Sequence, residues 1–187
     1  MFVTSRTDRL AAGRPRPLPA VTRALHWLTA AILVLMFALA WTFDALGPSD
    51  TSASLVSLHQ SFGLLILLVV AVRIVWRVTH PIEPLPGDTP RWEMRLATLV
   101  QAALYALLIA MPLVGLYASA LSGDTIRFFG VALPDLVAMN EDLSDQVFEI
   151  HGTIGWAILA LTGLHVAGAL NHQFIRRDGL LNRMRIW

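Results

Sequence analysis

Two histidines bound the segment HGTIGWAILALTGLH, residues 151–165, and nothing charged lies between them. A helix turns about 100° and rises about 1.5 Å per residue, so fourteen residues return almost to the starting azimuth. His151 and His165 therefore share one helix face, about 21 Å apart along its axis. Four further histidines stand at His26, His59, His80 and His172. Imidazole ligates metals, carries protons and donates hydrogen bonds. Which of these it does here depends on whether these segments lie in a soluble core or in lipid.

Composition decides that. The chain is 56% hydrophobic and only 14% charged, too poor in charge to cover a water-facing surface. Its apolar residues gather into four runs, at about 24–44, 55–78, 95–119 and 147–172. Each approaches the roughly 20 residues that a helix needs to cross the hydrocarbon layer. No alternating barrel pattern occurs, and backbone groups in lipid must bond internally. The expected fold is all-α: an integral membrane four-helix bundle with helices about 20–46, 55–78, 93–119 and 147–174. Residues 1–19, with Pro15, Pro17 and Pro19, are expected as an irregular cytoplasmic tail, and 20–187 as one transmembrane domain. Ala38-Leu39-Ala40 resembles a signal-peptidase site, but the leading segment is too long and proline-rich for a signal peptide, so helix 1 is expected to be retained. The 2–3 loop, THPIEPLPGDTPRW, is broken by four prolines. In the longest outer loop, about 120–146, IRFFGVALPDLV reads as a short amphipathic element on the membrane surface.

The basic residues are all arginine. They cluster before helix 1 (Arg6, Arg9, Arg14, Arg16, Arg23), around the 2–3 loop (Arg73, Arg77, Arg91, Arg95) and after helix 4 (Arg176, Arg177, Arg183, Arg185); only Arg127 lies elsewhere. The positive-inside rule then puts both termini and the 2–3 loop in the cytoplasm. The outer loops hold one arginine against eight acids, a formal −7, while the inner side holds thirteen arginines against five acids, a formal +8. Such arginines orient the chain and meet lipid headgroups; they do not indicate nucleic acid. With no cysteine, disulfides, thiolate metal sites, iron–sulfur clusters and thioether-linked haem are excluded.

Helices 2 and 4 run in the same direction, and His59 and His151 each fall shortly after a helix start, level near the outer surface. Helix 1 runs the other way, which brings His26 to the inner level of His165. Ionisable residues inside a bundle are costly and point to function. Zinc or copper prefers a third or fourth donor. With Asp44 and Glu149 assigned to the outer loops, the membrane stretches supply no Asp, Glu or Cys. An iron already held by four porphyrin nitrogens needs just two axial ligands, so two bis-imidazole haems fit the supply and read as electron carriers. His59-Gln-Ser-Phe-Gly63 and His151-Gly-Thr-Ile-Gly155 share an H-x-x-x-G spacing, and Gly163 and Gly168 flank His165. Such glycines make room for a flat macrocycle or let helices pack closely. Arg73, fourteen residues after His59, shares its face at the inner level. It is expected to fork onto a haem propionate, the other reading being an arginine that snorkels to headgroups.

With HW at 26–27, HQSFG at 59–63, Arg73, HGTIGWAILALTGLH and the tail NHQFIRRDGLLNRM, the chain resembles the bacterial cytochrome b561 family from about residue 20 to 185. The resemblance implies a di-haem b-type cytochrome of the bacterial inner membrane. His26 and His165 would bind the cytoplasmic-side haem b, and His59 and His151 the periplasmic-side one. It also implies electron exchange with ubiquinone, superoxide oxidase being the best-known activity of the most similar family type. Asn171 and His172 become candidates for donating to a quinone carbonyl, beside the plainer reading of an interfacial histidine among headgroups. His80 is expected at the interface. Two departures stand out. Helix 3 reads RLATLVQAALY where members often carry histidines, with Thr98 and Gln101 in place. The outer face is acidic, which repels a small anion. A second function is therefore kept, a membrane haem subunit that accepts electrons from a periplasmic or membrane-bound partner protein. A third, a histidine-based metal transporter, is opposed by Arg73 and by the missing carboxylates.

Overall fold

A computed structural model describes residues 17–81, 89–135 and 137–185. The tail before residue 17, with four of its arginines, and the proline-rich stretch 82–88 lie outside the described residues. The chain forms α1 (Ala20–Leu46), α2 (Asp50–Thr79), α3 (Arg91–Leu121), a two-stranded hairpin of β1 (Arg127–Phe128) and β2 (Val131–Ala132), and α4 (Glu141–Leu170). A π-helical turn, Asn171–Arg176, and a 3-10 helix, Leu180–Met184, follow.

Four helices are long and apolar enough to cross a membrane. At about 1.5 Å per residue they exceed the ~30 Å hydrocarbon layer, and the surplus is polar. Helix α2 begins at Asp50, ahead of the apolar run, because the Ser49 side chain accepts from the Ser52 amide at 3.1 Å. Helix α4 begins at Glu141 because Asn140 accepts from the Leu143 amide at 3.1 Å, with Glu141 and Asp142 complementing the helix dipole. Helix α1 ends at Gly47, whose φ of +63° suits a residue without Cβ, and Gly47-Pro48-Ser49 turns the chain directly into α2.

The helices pair as two hairpins, α1 with α2 and α3 with α4, joined through α2 and α3. Scarcely any Cα of α4 comes within 8 Å of α1 or α2. Between the hairpins sits a small core of Ile32, Ile66, Val69, Val70, Leu108 and Ile158. Ile158 is 1% exposed and lies seven residues from both His151 and His165. The core is therefore an apolar plug at mid-depth, between the levels of the two α4 histidines. The outward faces carry large apolar side chains, among them Val34 and Trp156, as lipid contact requires.

The short element expected at IRFFGVALPDLV takes the form of a β-hairpin. Phe129 (φ +47°) and Gly130 (φ +90°) form a two-residue turn, and Arg127 pairs with Ala132, Phe128 with Val131. Two consecutive positive φ values match the twist of a tight hairpin. Ser61, 1% exposed on α2, fixes it there: its hydroxyl accepts from the Phe129 amide at 3.0 Å and lies 3.1 Å from the Arg127 carbonyl. Phe129 also meets the edge of Phe62 at 5.4 Å. Ser61→Ala is expected to release the hairpin, read as at least a tenfold fall in hydrogen-exchange protection of the Phe129 amide; unchanged protection would remove Ser61 as its anchor.

At the other end, Arg177 (φ +54°) and Gly179 (φ +74°) reverse the chain after the π turn. The Leu18 amide donates to the Arg183 carbonyl at 2.9 Å, Trp27 Nε1 to the Met184 carbonyl at 2.9 Å, and Arg23 to the Arg185 carbonyl. Both ends of the described chain thus meet on one side of the bundle.

Candidate functional site

The four bundle histidines come together in the two pairs read from depth. His59 of α2 faces His151 of α4 with ring centroids 6.3 Å apart, and His26 of α1 faces His165 of α4 at 6.2 Å. All four are half-buried. An imidazole–metal bond is about 2 Å, with the ring centre roughly 1 Å beyond the nitrogen, so two trans axial imidazoles put their centroids about 6 Å apart. Both pairs meet that spacing. Among the described residues, no three His, Asp or Glu side chains gather as a metal cluster. The donor set is two imidazoles per level, and the residues fit a haem at each.

The surroundings differ between levels. Outside, His151 Nδ1 donates to the Met111 carbonyl of α3 at 3.2 Å. A carbonyl only accepts, so Nδ1 holds the proton and Nε2 keeps its lone pair for a metal. His59 contacts the Met36 backbone, but its buried Nδ1 makes no hydrogen bond; the ring of Phe43 meets it edge-on at 5.5 Å. Inside, Arg73 Nη2 donates to His26 Nδ1 at 3.0 Å, which leaves the proton of the neutral ring on Nε2. His26 would ligate through Nε2 only with Arg73 turned to another acceptor and that proton moved to Nδ1. The guanidinium lies 5.2 Å from the Tyr105 ring centre. No carboxylate pairs with Arg73 among the described ion pairs. A half-buried guanidinium without a counter-charge is costly, and a haem propionate would supply one.

The glycines behave differently from their spacing. A Cβ on Gly63 would meet the tip of Met36 at 3.6 Å, and one on Gly155 the tip of Met111 at 3.3 Å. Each H-x-x-x-G glycine thus receives a methionine from the neighbouring helix, not the edge of an open slot. Gly163 and Gly168 face space with nothing within 4 Å. The glycine that touches a histidine is Gly115 of α3, which spacing from the histidines gave no reason to single out.

At the inner end, His172 sits in the π turn that Asn171 opens. It is neither free nor aimed at the arginines, since Nδ1 pairs with Asp178 Oδ2 at 2.5 Å. Burial would raise the Asp178 carboxyl. Hydrogen bonds from His172 and the Leu180 amide, with the charges of His172 and Arg176, instead hold it below the usual carboxylate range. Arg176 pairs with Glu93 of α3 at 2.6 Å. Asp178 was missed because its role needs the reversal at Arg177 and Gly179. His80 stands exposed at the end of α2, stacked on Trp76 at 3.7 Å. Thr98 donates to its own helix at the Met94 carbonyl.

Known proteins resemble the chain over nearly its whole length. Cytochrome b561 homolog 2 of Escherichia coli K12 is 33% identical over 167 residues, 88% of each chain. Cytochrome b561 homolog 1 of the same organism is 27% identical over 86% of this chain and 92% of its own. A probable superoxide oxidase CybB of Yersinia pestis is 27% identical over 86% of this chain and 90% of its own. The family implies b-type haem, electron transport and a multi-pass bacterial membrane protein, and the four long apolar helices accord with that. A family model described as prokaryotic cytochrome b561 matches residues 18–185, and the chain belongs to that family.

Proposed function

We propose that the protein carries electrons across the bacterial inner membrane between two b haems and exchanges them with ubiquinone, taking them from superoxide at the outer surface. The observation that carries this is the pair of facing imidazoles at each of two depths, 6.3 and 6.2 Å between centroids. A haem held between two imidazoles would supply one-electron exchange without binding oxygen. His59 and His151 would hold the outer group and His26 and His165 the inner one, with buried Ile158 between the two levels. The arginine asymmetry supports cytoplasmic termini, with Asn171 and His172 at the quinone level. Arg127, the one outer arginine, is exposed on a hairpin bound to α2 two residues beyond His59. This placement supports local attraction of a small anion on an otherwise acidic face.

Haem-loaded protein is to be mixed anaerobically with superoxide and then with ubiquinone. Expected are two protohaems per chain by pyridine haemochrome, rapid reduction of the outer haem, and reoxidation by quinone. If superoxide fails to reduce the haems while dithionite succeeds, the donor assignment is lost and the cytochrome remains.

One observation favours a partner protein as donor. Glu141, Asp142, Asp145 and Glu149 are all exposed and fall within about 100° of azimuth on α4, leading up to His151. A basic redox protein docking there would reduce the outer haem at a rate falling steeply with salt. Copurification of such a carrier would select this reading.

Arg73 offers a separate test. Arg73→Gln removes a positive charge beside the inner pair, so its haem is expected to show a lower midpoint potential and several-fold weaker retention, the outer haem being unaffected. Redox titration checks this, and equal potentials in both proteins would return Arg73 to the headgroup reading.

A further inference from the structure

Gly115 packs directly against the His151 ring. A Cβ there would lie 2.8 Å from His151 Cε1 and 2.9 Å from its Nδ1, closer than real side chains approach. Gly115 is also one helical turn beyond Met111, whose carbonyl accepts the His151 Nδ1 proton. The bare backbone at 115 is the floor on which the ring lies to reach that carbonyl. We propose that Gly115 is a positioning residue for His151: lacking a side chain, it lets the imidazole bond to the Met111 carbonyl, which fixes Nε2 as the ligating atom and makes it a stronger electron donor. This rests on His151 being an axial ligand. Hydrogen bonding from the far nitrogen of a ligating histidine sets its tautomer and orientation and raises its basicity, favouring the oxidised metal.

The test compares haem-loaded Gly115→Ala with Gly152→Ala and Gly155→Ala. A Cβ on Gly152 meets nothing within 4 Å, and one on Gly155 meets only the flexible Met111 tip at 3.3 Å. Gly115→Ala is expected either to fall from two haems per chain to one, or to keep both with the outer midpoint potential raised. The inner haem and both controls should match the wild type. Two haems with both potentials unchanged in Gly115→Ala would overturn the proposal.

If Gly115→Ala does not accumulate, His151→Gly supplemented with free imidazole or 1-methylimidazole asks the same question. Both offer a ring nitrogen to iron, but only imidazole brings an N–H to the Met111 carbonyl. Imidazole is expected to bind at least tenfold more tightly and to restore the wild-type potential. Equal affinity and potential with the two ligands would again overturn it. His151→Ala separates the two levels of inference. If it retains both haems, the ligand assignment fails; if it loses one while Gly115→Ala is unaltered, only the role of Gly115 fails.

Discussion

His59→Ala and His151→Ala are each expected to leave the protein with one haem per chain, the outer one lost and the inner spectrum kept. His26→Ala and His165→Ala should do the reverse. The independence follows from the layout. The two rings of a pair face each other at 6.3 or 6.2 Å, while the two histidines on α4 are fourteen residues apart with buried Ile158 midway. Removing one imidazole opens a cavity at one level and leaves the opposite ring without a partner. The plug of Ile32, Ile66, Val69, Val70, Leu108 and Ile158 still joins the hairpins, so the bundle should survive. Haemochrome stoichiometry and low-temperature α-band spectra read the outcome directly. Loss of both haems from a single substitution would mean that the levels are coupled through folding. Loss of neither would show that the pairing does not describe the ligands.

The bundle and the pairing were legible because both follow from simple periodicities. Apolar runs of bilayer length define helices, their direction alternates, and fourteen residues nearly complete four turns, so depth and azimuth of each histidine can be read before any packing is known. Helix starts were harder: the polar turns before the runs of α2 and α4 lie beyond a hydrophobic window, and their caps, Ser49 and Asn140, had to be recognised instead. The outer hairpin was hidden by composition. IRFFGVALPDLV is apolar enough for a surface helix, and the turn depends on Phe129, an unusual residue for positive φ, held by its amide bond to Ser61 sixty-eight positions away. Gly115 and Asp178 were illegible for the same reason. Each acts on a histidine through a contact made only once a second segment has folded against it, α4 on α3 for Gly115 and the chain reversal after the π turn for Asp178.

That reversal carries the second large effect. His172→Ala is expected to slow ubiquinone reduction about 100-fold, within the usual range for a lost acid–base group, with both haems and their reduction by the outer donor unchanged. Asp178→Asn should cost about tenfold, the lower end for a residue that orients another. The 2.5 Å contact between Nδ1 and Asp178 Oδ2 leaves Nε2 of His172 as the nitrogen available to a quinone carbonyl. Reduction of a quinone to quinol takes up protons, and an aspartate on Nδ1 would orient His172 to deliver one from Nε2, as the aspartate of a catalytic triad orients its histidine. The pH dependence follows from the sign of the Asp178 shift. Its carboxyl is held below the usual value, about 3.9, so the charged contact is fully present above that pH and is lost as pH falls through the folded value. The segment Leu180–Met184, tethered by the bond from the Leu180 amide to Asp178 at 3.0 Å, should stay protected from hydrogen exchange between pH 5 and 8 and open only in stronger acid; Asp178→Asn should open it at neutral pH. Quinone turnover at the wild-type rate in His172→Ala would move the quinone site away from Asn171 and His172, whatever the exchange data show.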